Sequence, residues 1–335
     1  MKQKLLAISI LILVIVFFNC GEKSGDGNNE KKGITQTKIN YKNGNEYTLQ
    51  YGLTEGLTYV YKVFTSSENS QSNGIETQSM TINVDYTLEL SPVEVDSIGK
   101  MDLKVKFQNI KMNAEVGAQK LSYDSENPAD SSKADSPEIA EYAIFKDAGF
   151  SVRVDSKGEI IEVYRLDNLI NKILGENINT VGDDIKTQLK TRMEVQVSSM
   201  IQQLFQYLPS EPIKVESSWS KETTERLEDM VSKTIVTYKM LEVKDIDGKD
   251  LAVINANLKS DMEKRKSIDD KGTKYDFKKP QISGKGEIEF NLENGLVVSR
   301  SLETSIVTGM KVTQGYNSMD ITNKANNKVS VELVK

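Results

Sequence analysis

The sequence predicts an α+β fold that is mainly antiparallel β. It should be a curved, pseudo-duplicated, half-barrel-like sheet with a long helix packed on its apolar face. Three observations predict this. Ile82, Val84, Tyr86, Leu88 and Leu90 alternate with polar residues, as do Met101, Leu103, Val105 and Phe107. Period two over such lengths marks antiparallel strands with one wet face. The order of strand and turn signals then recurs, residues 86–112 resembling 238–262 and residues 150–163 resembling 288–302, which reads as a weak internal repeat. Between the halves, residues 183–208 carry apolar side chains at every third or fourth position, the period of a helix.

In chain order, Lys2 and Lys4 precede an apolar run over residues 5–18, broken only by Ser9. At 14 residues this run is shorter than the roughly 20 of a membrane span and has the form of a signal peptide. Phe17-Phe18-Asn19-Cys20 follows, with Gly21 next. This segment resembles the lipobox of bacterial lipoproteins in a relaxed form, since Phe and Asn stand where Leu and small residues are usual. The resemblance implies residues 1–19 as signal peptide and Cys20 as the lipid-attachment residue. A diacylglycerol on its sulfur and an acyl chain on the new N-terminus would exceed the two chains that give stable anchoring. Cleavage before Cys20 would leave 335 − 19 = 316 residues with a net charge of 41 − 49 = −8. Residues 21–33 (GEKSGDGNNEKKG) contain no apolar side chain, so residues 20–33 are expected to be the lipidated Cys and a flexible tether.

Residues 34–335 then form one β-rich domain of two similar halves, about 45–165 and 210–335, linked by a helical insert over 167–208. In the first half, residues 91–99 read as a turn, and Asp155-Ser156-Lys157-Gly158 joins two short strands as a hairpin. In the second, the phase slips from Val236, Tyr238 and Met240 to Leu241 and Val243, as a β-bulge would make it. Asp247-Gly248 and Asn294-Gly295 are hairpin turns. In the insert, a short helix runs from Asp167 as N-cap to Gly175, and a long one from Asp183 or Asp184 to Leu208, where Pro209 and Pro212 stop it. Residues 124–137 and 263–279 are poor in apolar content and occupy equivalent places in the two halves. They read as two long acidic loops.

The composition excludes several chemistries. With 43 Lys+Arg against 49 Asp+Glu, the net charge is −6, opposite to that of a nucleic-acid binder. The chain has no His and one Cys. Catalytic pairs of Ser or Cys with His, the usual zinc and non-heme iron sites and an internal disulfide are therefore absent. Asp245-x-Asp247-Gly248 echoes a calcium loop, but Lys244 and Ile254 stand where ligands are needed. Asp124, Asp130 and Asp135 read as solvated loop carboxylates. Glu287 and Glu289 fall on the wet face of a strand, Ser218-x-x-Lys221 lies in a strand entry rather than at a helix start, and Gly284-x-Gly286 lacks the third Gly of a dinucleotide fingerprint. No catalytic, metal or cofactor residue is predicted, and the protein is not expected to be an enzyme.

Leu208-Pro209, Pro212-Ile213-Lys214-Val215, Ser218-Trp219, Gly56-Leu57-Thr58-Tyr59 and Tyr123-Asp124-Ser125 resemble a family of uncharacterised bacterial secreted proteins and lipoproteins with a domain of unknown function. The resemblance spans residues 47–334 and implies no activity. Trp219, the sole Trp, reads as a core anchor at the start of the second half. The expected role is that of a non-catalytic lipoprotein of the cell envelope, held by the lipid on Cys20, with the outer membrane as the expected site. One form is an interaction or adhesin-like surface protein using its two long loops. The alternative is a periplasmic carrier or chaperone holding a lipid or other apolar ligand between sheet and helix. That alternative needs a continuous apolar cavity of about 300 Å³ or more. A filled core there would remove it.

Overall fold

Alternation of apolar and polar residues is realised as long paired strands in this computed structural model, which describes residues 39–128, 142–146, 148–227 and 230–334. The predicted signal peptide, Cys20, the tether and most of residues 124–137 lie outside the described residues. A two-stranded hairpin, β1 (Lys42–Asn43) and β2 (Glu46–Tyr47), leads in. The first half continues with β3 (Tyr59–Ser72), β4 (Thr77–Val95), β5 (Met101–Val116), β6 (Gln119–Asp124), β7 (Gly149–Val154) and β8 (Ile160–Tyr164). After α1 (Asp167–Leu174) and α2 (Asp183–Gln202) come β9 (Ser218–Leu227), β10 (Met230–Ile246), β11 (Lys249–Met262), β12 (Ile268–Asp270) and β13 (Thr273–Phe277). The chain ends with β14 (Gln281–Asn291), β15 (Leu296–Gln314) and β16 (Asn317–Leu333).

Strands β3 to β16 form one 14-stranded sheet whose main path is β8-β7-β5-β4-β3-β16-β15-β14-β11-β10-β9. Neighbours along this path pair antiparallel. Each half is a meander, and the first strand of the body, β3, pairs with the last, β16. The sheet does not close. Its two edges, β8 and β9, flank the chain segment that carries the helices. Gly284 and Gly286 permit tight strand approach on β14: a Cβ on Gly286 would lie 2.6 Å from the Ser301 carbonyl oxygen.

Inward residues of both halves join one core cluster, from Leu49 and Tyr61 through Leu103 and Phe107 to Ile254, Phe290 and Val331. Among the described residues the buried apolar side chains run from Ile39 to Val331. The turn and bulge signals fall where expected. Asp155 Oδ1 accepts the Lys157 and Glu159 amides at 2.9 and 2.8 Å. The β10–β11 register shifts between Met240 and Glu242. Asp247 and Gly248 both take positive φ, 54° and 75°, as a two-residue hairpin turn of matching twist requires.

Three expectations are corrected. The long helix stops at Gln202, not Leu208. Met193, Val197 and Ile201 on it are buried, and Ile185 and Val195 are each 56% exposed. Its N-cap is Gly182 and that of α1 is Leu166, neither making a side-chain cap bond, so Asp167, Asp183 and Asp184 sit inside the first turns instead. There their charge still favours the positive helix end. Finally, residues 263–279 are not an acidic loop. They contain the β12–β13 hairpin, which pairs with β15, and carry seven Lys/Arg against four Asp/Glu.

Candidate functional site

The core between the sheet and the helical insert is the place where a ligand would be held, and residues 203–208 lie buried in it. Gln203, Leu204, Phe205, Gln206 and Leu208 are all buried, and Gln206 and Leu208 are fully inaccessible. The segment is irregular, so its backbone needs partners other than a helix ladder. Side chains from both halves supply them. The Tyr51 hydroxyl accepts the Gln206 amide at 2.7 Å and donates to the Gln206 carbonyl at 3.2 Å. Arg300 on β15 donates to the carbonyls of Gln202 and Gln203 at 3.2 and 2.8 Å, a cation at the C-terminal end of α2. Trp219 on β9 donates its indole N–H to the Tyr207 carbonyl at 2.9 Å, and the Tyr86 hydroxyl lies 2.7 Å from Gln203 Oε1. Gln202 Nε2 reaches the carbonyls of Gly158 and Phe205. These tertiary bonds replace the i→i−4 pattern and end the helix early.

Aromatic packing fixes the same segment. Phe205 meets Tyr51 edge-on at 4.9 Å, and Tyr51 meets Phe290 at 5.5 Å. Trp219 stacks on Tyr238 at 5.5 Å; it is half-buried and packs against the core from β9. Burial pushes the hydroxyls of Tyr51, Tyr61, Tyr86 and Tyr238 above their ordinary pKa, and it lowers that of the Arg300 guanidinium. Lys157, half-buried in the β7–β8 turn and bonded to the Leu49 carbonyl at 3.0 Å, is likewise lowered by burial. Pairing is incomplete at Gln206, where neither Oε1 nor Nε2 has a partner among the described residues.

Beside this segment, the space lined by Val236, Tyr238, Ala256, Ile288, Arg300 and Leu302 is only about 10 Å³, room for about one water. The three buried apolar residues of the segment, Leu204, Phe205 and Leu208, contribute about 1.5–3 kcal/mol each, or about 5–9 kcal/mol together. A whole domain is stable by about 5–15 kcal/mol. Withdrawing the segment is therefore comparable to unfolding the protein, and it is a structural plug rather than a lid.

The remaining sequence motifs fall apart in space. Asp245 and Asp247 belong to the β10–β11 turn, where Asp245 Oδ1 accepts the Gly248 amide at 2.9 Å. Glu289 accepts the Ser299 hydroxyl at 2.8 Å on the outer face. Lys221 of the Ser218-x-x-Lys221 motif pairs with Glu159 at 3.2 Å across the gap between the sheet edges. Asp124 pairs with Lys111 at 3.1 Å, while Asp130 and Asp135 lie outside the described residues. Among the described residues no group of three or more His, Cys, Asp or Glu could hold a metal ion, and no helix is long and apolar enough to cross a membrane. On the outer face, a shallow groove of about 470 Å³ over β3, β16, β15 and β14 is lined by Ser66, Ser283, Ser305 and Asn326, with Glu68, Lys285, Glu303 and Lys328 among them. Lys285 and Glu303 pair at 3.3 Å.

Sequence reasoning passed over Tyr51, Gln206 and Arg300. Only Arg300 carried a signal, a charged residue in phase with inward-facing Leu302 on an alternating strand.

Comparison with known proteins yields no match among curated proteins. A lipovitellin structure concerned with lipid–protein interactions matches 84% of this chain at 11% identity with a TM-score of 0.44. This chain spans only 25% of its length. DynF from Micromonospora chersina matches 90% of this chain and 92% of its own at 5% identity and a TM-score of 0.17. The transport unit of the autotransporter AIDA-I from Escherichia coli matches 84% and 92% at 7% identity and 0.18. Scores below 0.5 assign no fold. The sequence itself carries the assignment: the model of a family of unknown function, DUF6263, matches residues 98–297, and the chain belongs to that family.

Proposed function

We infer that the protein is a non-catalytic lipoprotein of the cell envelope, anchored through Cys20, that acts through its surface and not by carrying a ligand inside. The observation that carries this reading is the occupied interior. Residues 203–208 fill the space between helix and sheet, and the gap beside them is about 10 Å³, against the roughly 300 Å³ or more that a small-molecule site needs. The order of the two meanders supports a pseudo-duplicated, half-barrel-like body in which the helical insert plugs the open side. The N-terminal pattern ending at Cys20 supports the anchor and the envelope location.

Native mass spectrometry of the body, residues 34–335, purified from cells with lipid extraction alongside, tests the first point. The protein mass alone is expected. A co-purifying lipid of defined mass would restore the carrier reading. Metabolic labelling with a radioactive fatty acid tests the anchor, label being expected on the full chain and absent from Cys20→Ala. Equal labelling of both would refute it.

A further inference from the structure

Beyond its filled core the sheet continues as an arm. The β3–β16 pairing ends at Ser72 opposite Thr322, and β14 begins at Gln281 opposite Val307. The ends of β15 and β16 therefore project further, β16 by five residues (317–321) past its last partner on β3, or roughly 16 Å. There β13 pairs onto β15, and β12 onto β13, to make a four-stranded arm. Its register sorts the side chains. Ile268, Tyr275, Val312 and Met319 form one cross-strand row, and Phe277, Met310 and Ile321 form the next. On the opposite face Asp276, Lys311 and Asp320 form a row. The arm is thus amphipathic in the way of a sheet with one dry face.

The described residues cover that dry face only in part: Tyr275, Phe277, Met310, Val312 and Ile321 are half-buried. Leu302, Ala325 and Val329, lower on the same face of the same strands, are buried, yet none of the seven apolar residues of the arm is. Ile268 is 40% and Met319 39% exposed. Tyr316, fully exposed, forms the tip. The charge of the arm is also opposite to that of the chain. Residues 263–279 and 308–322 hold eight Lys/Arg against five Asp/Glu, a net +3 on a chain of −6. Three of these cations are paired, Lys264 with Asp276 and Lys278 with Asp320 within the arm, and Lys279 with Asp261 beside it. Arg265 lies over the Phe277 ring at 5.4 Å, at the rim of the apolar face.

We propose that this arm docks on an anionic lipid bilayer, its two apolar rows entering the interface and its excess positive charge meeting the headgroups. Exposed Tyr316 and half-buried Tyr275 and Phe277, beside Lys and Arg, are side chains that favour that boundary, and an excess of cations is drawn to an anionic leaflet. A second copy of the chain is the weaker occupant. Four strands about 4.8 Å apart and two rows of side chains offer roughly 300 Å² a side, against about 800 Å² for a standard interface, and two arms of net +3 would repel. The contact is separate from the lipid on Cys20 and from the interior.

The test uses the body, residues 34–335, which lacks the apolar leader. It is co-sedimented with vesicles of phosphatidylethanolamine containing a third phosphatidylglycerol, and with neutral phosphatidylcholine vesicles. Binding to the anionic vesicles, weakened by salt, is expected. Val312→Asp with Met319→Asp should reduce it roughly tenfold or more, and Lys266→Glu with Lys271→Glu should do the same. Circular dichroism and the urea midpoint of both variants should match wild type. Equal binding to neutral vesicles, or undiminished binding of the Val312→Asp/Met319→Asp protein, would overturn the proposal. So would sedimentation showing a dimer that this variant dissolves. The failure of the surface-acting reading is distinguishable, because a lipid held in the interior would co-purify with the arm variants as well.

Discussion

Replacing Tyr51 by Phe removes one oxygen and leaves the ring that packs on Phe205 and Phe290 at 4.9 and 5.5 Å. That oxygen accepts the Gln206 N–H at 2.7 Å and donates to the Gln206 C=O at 3.2 Å, and Gln206 is fully buried. The substitution strands a buried donor and a buried acceptor, each costing about 1–3 kcal/mol. Loss of the buried hydroxyl itself returns part of this, so the net destabilisation is about 2–4 kcal/mol. With a urea slope of about 3 kcal/mol/M for a body of this size, the midpoint falls by about 1 M. Trp219 gives the assay. It is the sole Trp and bonds to Tyr207 in the same segment, so its fluorescence reports the plug directly. A midpoint within about 0.2 M of wild type would refute the view that side-chain bonds to the irregular backbone hold the plug in place.

Further outcomes follow from the same geometry. Gln206→Met removes two buried polar atoms that have no partner among the described residues and should raise stability by about 1–3 kcal/mol in the same urea titration; a lower midpoint would show that those atoms are satisfied. Phe205→Ala should cost about 3–5 kcal/mol by cavity formation, visible as a fall in thermal midpoint. Gly286→Val should prevent folding or aggregate, since its Cβ would meet the Ser301 carbonyl oxygen at 2.6 Å; a soluble, native-like variant would be the contrary result. For pH, burial raises the folded-state pKa of Tyr51, Tyr61, Tyr86 and Tyr238. The unfolded chain loses these protons first, near pH 10, so the stability is fully present below that pH and is lost as pH rises above it, by about 1.4 kcal/mol per unit for each group. Phenolate absorbance should therefore appear in two stages, exposed tyrosines first and the buried four together with unfolding. A single smooth titration would contradict this.

The strands were legible because alternation reports directly which face of a strand is dry, as β4 and β5 show at Tyr86, Leu88, Leu103 and Val105. Turns were legible where backbone conformation demands a particular residue, as at Asp247-Gly248. The helix end was not. Residues 203–208 keep helical apolar spacing, yet Arg300 and Tyr51, about 100 and 150 positions away in sequence, offer their backbone better partners than the next helical turn. The hairpin in residues 263–279 was hidden for a related reason: its apolar residues Ile268, Tyr275 and Phe277 are few and widely spaced, and they form a row only when β15 and β16 lie beside them.

The amino-acid sequence by itself determined that no His-dependent site and no internal disulfide can form, the antiparallel class of the sheet, its hairpin turns and its family, since each depends on residue types and on neighbours within a few positions. Tertiary structure alone decided that the interior is plugged, that Arg300 and Tyr51 hold the plug, and that the β12–β13 arm leaves an apolar face only partly covered. Those outcomes depend on which distant strands meet, and local periodicity reports burial on a face without saying what, if anything, will cover it.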